Sequence, residues 1–366
     1  MREDLLHLVA LTHIPGIGAV TAKNLISYCG GAERVFVAKR RELLNVPGVG
    51  DRMAATILNT DILHKAEREL RHLDGQRTRA VTFLDDEYPK RLQKHNDAPI
   101  VLFVRGEFDF NRARTVGIVG TRKPTPQGIS ITEEIVEDLK PFGTHIISGL
   151  AYGVDAAAHS KALEVGLQTI GVLGHGFGTL YPAANRKLAE RMTRQGGLLT
   201  EYPYATKPDY HNFPMRNRIV AGLSDALIVV ESAARGGSLI TAHAANRYGM
   251  EVFAVPGRIR DAKSEGCNDL IRTQRANLFQ SVAQLADFMG WDEHTNTPSA
   301  AQRRLFMELS EEERAIVDIL EQREETPIDM LAFQTKKTAT QLAGVLLELE
   351  FKGLIRMLPG KRFILT

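Results

Sequence analysis

Short apolar runs alternate with amphipathic stretches from about Ala80 to Met289. The runs at 115–120, 145–149, 168–173, 197–202, 225–231 and 251–256 are apolar nearly throughout and read as strands. Helical periodicity fills the gaps near 126–141, 153–165, 184–195, 214–222 and 238–248. Strands that are apolar on both faces and separated by helices predict a mostly parallel sheet with helices on each side. The fold class is therefore α/β, with a Rossmann-like doubly wound core over 81–290. Residues 81–110 read as a strand-rich lead-in packed on that sheet.

The flanking patterns differ. Residues 1–80 are helical and repeat themselves: His13-Ile14-Pro15-Gly16-Ile17-Gly18 and Asn45-Val46-Pro47-Gly48-Val49-Gly50 are offset by 32 positions, and each precedes a helix. This is a helix-hairpin-helix pair of the SAM-like kind, in which glycine permits the turn and the next helix offers free backbone N–H groups. The pair serves either as a contact to DNA phosphates or as the turns of a small bundle. At the other end, 291–309 reads as a linker, and 310–366 as three helices followed by a hairpin through Pro359, Gly360, Lys361 and Arg362. That order predicts a winged helix, with Lys336 and Lys337 opening its recognition helix.

Charge and composition narrow the partners only locally. Of 366 residues, 43% are apolar and 25% charged, which excludes a largely disordered chain. The 46 Lys+Arg nearly balance 44 Asp+Glu, so anion binding must come from local clusters. Residues 1–80 hold 12 basic against 9 acidic side chains, a mildly basic face. From residue 303 onward the count is 10 against 11, and a winged helix this neutral suits a protein partner as well as DNA. Two unpaired-looking cysteines, Cys29 and Cys267, predict a reducing, cytoplasmic setting, and no apolar window approaches a membrane span.

In an open α/β sheet ligands sit beyond the carboxyl ends of the strands, and here the special residues gather there. The first strand ends in Gly120, Thr121 and Arg122, the second in Ser148 and Gly149, and the fifth runs into Gly236, Gly237 and Ser238. A dinucleotide fingerprint needs glycines where this chain has Gly120, Arg122 and Thr125, so no NAD is expected. Thr125 before Pro126 predicts a capped helix start that acts with Arg122 on one phosphate. Phe213 stands just ahead of a helix carrying Arg216, Asn217 and Arg218, which offers a ring for a base and charge for a backbone. The other reading makes Phe213 a hydrophobic staple and pairs one arginine with Glu201 or Glu231. Lys187 opens a further cationic helix. The 11 histidines are scattered without metal spacing, so no metal site is expected.

GTR at 120–122, SGLAYGVDAAAH at 148–159, YPAANRKL at 181–188, FPMRNRIVAGLSD at 213–225 and GGSLITA at 236–242 together resemble the DNA processing protein A family. That resemblance implies a core that binds single-stranded DNA, and duplex DNA more weakly, without a cofactor or catalysis. It also implies a homodimer that protects incoming DNA and loads the RecA recombinase in natural transformation. Arg122 matches the family's phosphate-binding arginine, Lys187 a basic pocket position, Phe213 the aromatic before the RNR motif, and Gly236 to Ser238 a second glycine-rich loop. Three departures stand out. Gln127 replaces an aromatic, His175 is then a candidate stacking ring, and Gln274-Arg275 replaces a glycine near the expected dimer contact. Apolar residues among Val252 to Gly257, Leu270, Ile271, Leu278 and Phe279 suggest more apolar surface than one chain can bury, hence pairing through about 230–285. The competing reading is a Rossmann-like nucleotide base-releasing hydrolase using Glu201 and Glu231.

Overall fold

The computed structural model describes residues 3–291, save Thr60 and Ala113, and residues 309–365, save 322–325, 336, 353 and 359–361. The expected linker lies almost wholly outside the described residues, as do Lys336 and the hairpin residues Pro359, Gly360 and Lys361. The chain divides into two compact units, 1–293 and 294–366.

The first unit is built on a nine-stranded sheet. Its strands are β1 (Thr78–Thr82), β2 (Val101–Gly106), β3 (Thr115–Val119), β4 (His145–Ser148), β5 (Thr169–Val172), β6 (Gly196–Thr200), β7 (Ala226–Val229), β8 (Glu251–Ala254) and β9 (Asn277–Leu278), in the order β1-β2-β6-β5-β4-β3-β7-β8-β9. β3 to β9 run parallel, while β2 pairs antiparallel with β6 and with β1. The apolar runs are divided by the period of two between the two faces of the sheet. Val116, Ile118, Ile146, Ala226 and Ile228 pack with the helices Pro126–Asp138 and Val154–Val165. Val119, Ile147, Leu227 and Val229 pack with the helices Asn212–Gly222 and Gly237–Arg247. The lead-in is part of the sheet itself, and the expected helix at 184–195 is a 3-10 turn, Ala183–Asn185, followed by the helix Arg186–Met192.

Six helices, from Glu3–Thr12 to Asp61–Gly75, precede β1. The repeat in their sequence is a repeat in space. Gly16 lies against Met53 and Gly48 against Thr21, so each hairpin touches the residue that stands 32 positions from the other's partner. Both glycines have φ near +85°, a backbone that side chains rarely adopt. The helical residues share one apolar cluster with Ile100, just before β2, and Val101 and Phe103 within it, so the chain passes from helices to sheet inside a common core.

Among the described residues of the second unit three helices, Glu311–Glu321, Ile328–Thr335 and Ala339–Phe351, pack with a three-stranded sheet of β10 (Thr326–Pro327), β11 (Ile355–Leu358) and β12 (Arg362–Leu365) in the order β10-β12-β11. This is a winged helix around Ile316, Leu331, Leu346 and Phe363. Thr338 and, three residues on, Gln341 form a capping box at the third helix. Lys337 is paired with Glu312 and Lys352 with Glu313.

Candidate nucleic-acid interface

β3 lies between β4 and β7, so the chain moves across the sheet one way from β3 and returns to the other side on reaching β7. A cleft of about 670 Å³ opens beyond the carboxyl ends of the strands at this reversal. The loops after β3, β4 and β7 line it, with the start of the helix Asn212–Gly222 as a wall. Of the residues singled out in the sequence, Gly120, Thr121, Arg122, Gly149, Phe213, Arg216, Asn217, Gly236, Gly237 and Ser238 meet here.

Arg122 is exposed, and its guanidinium carbon lies 5.6 Å from the centroid of the Phe213 ring. Among the described residues no carboxylate pairs with it. Phe213 sits inside the first turn of its helix, one position after Asn212, and not ahead of it as the spacing predicts. The half-buried ring rests over Gly174, where a Cβ would stand 2.9 Å from Phe213 Cδ1, and it meets the ring of Tyr181 at 5.6 Å. On the opposite wall Gly236 precedes the helix Gly237–Arg247, whose first amides have no side-chain cap. Ser238 Oγ donates to Ser232 Oγ at 2.9 Å, and Asn217 Nδ2 donates to the Gly237 carbonyl at 3.4 Å, tying the walls together. Exposed cations, a ring face and an uncapped helix start therefore converge, a set suited to a phosphate and a flat base.

Several expected contributors turn inward. Arg216 is 4% exposed, and its Nη1 donates to the carbonyls of Gly149, at 2.6 Å, and Val172. Burial pushes its pKa down to about 10, against the pull of the nearby Asp155 carboxylate, so it stays charged beneath the cleft floor. Burial in turn raises the pKa of Asp155, whose Oδ2 accepts from the amides of Gly149 and Ala151. Arg218 is buried on the far side of the helix in an ion pair with Glu201. Burial disfavours its charge, but Glu201 and Asp97 outweigh that and leave its pKa raised. Ser148 is fully buried and donates to the Ile118 carbonyl at 2.6 Å, a strut between strands. Lys187 is exposed on its helix and stands outside the lining of the cleft.

Three further expectations are corrected. His175 is no stacking ring: it is 1% exposed, with Nδ1 on the Gly176 carbonyl and Nε2 on the Tyr181 backbone. Thr125 does cap the helix Pro126–Asp138, but its amide and hydroxyl both donate to the Glu231 carboxylate, which occupies that helix start in place of a phosphate. Glu201 follows β6 and Glu231 follows β7, with β5, β4 and β3 between them. At ~4.8 Å per strand they are roughly 19 Å apart, whereas paired hydrolytic carboxylates need about 5 to 10 Å. The sequence reading also missed Tyr181 and Tyr210, which line the cleft at 43% and 74% exposure. Their signal was their place, Tyr210 three residues before Phe213 and Tyr181 at the head of the segment ending in Lys187.

Comparison with known proteins agrees with this architecture. Residues 79–290 match the family model for DNA recombination-mediator protein A, 298–361 that for the DprA winged helix domain, and 8–60 that for a SAM-like helix-hairpin-helix tandem. The chain is 32% identical over 393 positions to Protein Smf of Synechocystis, covering 99% of each. It is 37% identical over 278 residues to Protein Smf of Escherichia coli, covering 75% of this chain and 74% of that protein. Among solved structures it resembles DNA processing protein A of Streptococcus pneumoniae, with 32% identity and a TM-score of 0.67 over 79% of this chain and 99% of that one. The Helicobacter pylori protein, described for its single-stranded DNA binding mode, superposes with a TM-score of 0.54 at 28% identity, over 59% of this chain and 97% of that one.

Proposed function

The chain belongs to the DNA processing protein A family, and on that premise we propose that it binds single-stranded DNA in the cleft at the β3/β7 reversal. The observation that carries this reading is the exposed Arg122 guanidinium 5.6 Å from the half-buried Phe213 ring. A paired base cannot turn its face to such a ring, whereas a splayed one can, and the cation beside it meets the adjoining phosphate. Arg122, Phe213, Asn217 and the helix start at Gly236 to Ser238 make the direct contacts. Arg216, with Gly149 above it, supplies charge from below, and Arg218 and Ser148 hold the scaffold. Lys187 meets the strand outside the cleft.

The wider role we propose is in recombination during natural transformation, where the cytoplasmic protein protects an incoming strand and loads the RecA recombinase onto it. It works without catalysis or cofactor. Two cleft-bearing copies paired through about 230–285 would hold a longer stretch than one. The apolar surface available for pairing is narrower than the sequence suggests, since Val252, Phe253, Leu270 and Phe279 are each under 8% exposed. Ile259 at 96% and Leu278 at 37% remain as its anchors. Among the described residues no helix is long and apolar enough to cross a membrane.

The test is equilibrium binding of the full chain to single strands and to duplexes of equal length across a salt series. Preference for the single strand at every salt concentration is expected, and equal or stronger duplex binding would overturn the reading. Release of free base from nucleoside monophosphates would restore the hydrolase.

A further inference from the structure

The loop that brings Tyr181 to the cleft has a second cavity behind it, of about 260 Å³. Arg105, Phe177, Leu180, Arg186, Thr193 and Leu198 are among the residues around it. Arg105 lies on β2, opposite Leu198 of β6, and its guanidinium carbon stands 4.4 Å over the Phe177 ring. Its Nε donates to Thr78 Oγ1 at 2.8 Å, while its Nη2 is buried with no hydrogen-bond partner. Arg186, exposed, opens the helix Arg186–Met192 on the other side. Among the described residues neither arginine is in an ion pair, although Glu190 shares the lining.

A guanidinium braced against a ring and a hydroxyl is fixed before any ligand arrives, so little side-chain freedom is lost on binding. That braced cation and the exposed Arg186, over an apolar floor, suit an anion attached to an apolar or flat body. Position then selects among anions. Thr179 and Leu180 line this cavity and the next residue, Tyr181, lines the main cleft. Consecutive Cα atoms are ~3.8 Å apart, so the two sites back onto one loop. Lys187 and Arg191 are exposed beside Arg186 and extend the positive surface.

We propose that this cavity is a second nucleotide subsite, which takes a phosphate and its base or sugar from the strand leaving the main cleft past Tyr181. The proposal rests on the reading of the main cleft as a single-strand site. It gives Lys187 a place, because that exposed residue follows Arg186 of the cavity lining.

The experiment uses the full chain with a long oligothymidylate, measuring affinity over a salt series for Arg186→Glu, for Thr193→Trp, which fills the cavity without changing charge, and for Arg122→Ala. Both cavity variants should bind roughly fivefold to tenfold more weakly, and Arg186→Glu should lower the salt slope by about one contact. If Arg122→Ala weakens binding while both cavity variants bind as the parent does, the second subsite is overturned and the cleft reading stands. A loss confined to Arg186→Glu would show surface charge alone and would overturn the pocket. Unchanged binding in all three variants would overturn the cleft reading and the subsite with it. Arg186 is exposed, so unchanged binding of its variant still overturns the subsite if Thr193→Trp proves unstable.

Discussion

Arg122 and Phe213 are in contact range, and they fail in different ways when removed. Arg122→Ala takes away a charge-assisted contact to phosphate and should cost ~1 to 3 kcal/mol of single-strand affinity, similarly on every base sequence. Its salt slope should shrink by about one contact, at little cost to folding, because the side chain is exposed. Phe213→Ala should cost ~1 to 3 kcal/mol through lost stacking and leave the salt slope as it was. A sharply lowered melting temperature with intact affinity would instead make the ring a staple of its helix. The cleft-facing half of this site was legible in the sequence, since glycines, hydroxyls and a cation at strand ends have few other uses. Which side chains turn inward was not. Arg216 and Arg218 are two positions apart on a helix, so they point to nearly opposite sides. That helix is covered on both, and one arginine is taken by the Gly149 and Val172 carbonyls and the other by Glu201. Residue type announces charge, but only packing decides whether solvent or a buried acceptor receives it.

At the scale of elements the strands could be read because burial on both faces leaves long apolar runs, and those runs need no knowledge of neighbours. Strand order could not be read. The chain's first two strands join at the β6 edge in antiparallel pairing, and β9 is only two residues long. Pairing partners are chosen by contacts far apart in sequence, on which a local period is silent. The repeated hairpins show the opposite case, where a local signal carries a tertiary meaning. Gly16 and Gly48 both require positive φ and occupy matching places in the pair. Gly16→Ala and Gly48→Ala should therefore each lose about 1 to 2 kcal/mol from strain, since neither added methyl meets a close neighbour. Urea denaturation of the two variants checks this. Losses that are small or negligible at either site would show that the hairpin relaxes and that its glycine is there for another reason, such as approach to a phosphate.

For the whole molecule, the question is which pieces stand alone. Acid should weaken the first unit, because burial pushes His145 down to about 4 and His159 to about 3. Both are then neutral in the fold, whereas the unfolded chain takes up their protons below about pH 6.5. Stability is full above that pH and falls toward pH 4 by up to ~1.4 kcal/mol per unit for each histidine, and His159→Gln should flatten the slope of melting temperature against pH. Truncation makes the sharper test. Among the described residues, the apolar cluster of the winged helix is built from residues from Leu309 onward, and the clusters of the first unit from residues up to Trp291. A chain ending at Glu293 should keep the melting transition of the first unit and its single-strand affinity in the cleft. The helical segment is another matter, although its sequence reads as a separate domain. Removing the residues before Gln76 would uncover Ile100, Val101 and Phe103, now at 4%, 1% and 1% exposure. At ~1.5 to 3 kcal/mol for each buried side chain, that is about 5 to 9 kcal/mol, comparable to the whole stability of an ordinary domain. The shortened core should unfold at much lower urea than the full chain or fail to fold. A core that begins at Gln76 and melts with the parent would mean that the helices only rest on the sheet, and that their shared cluster contributes little to the fold.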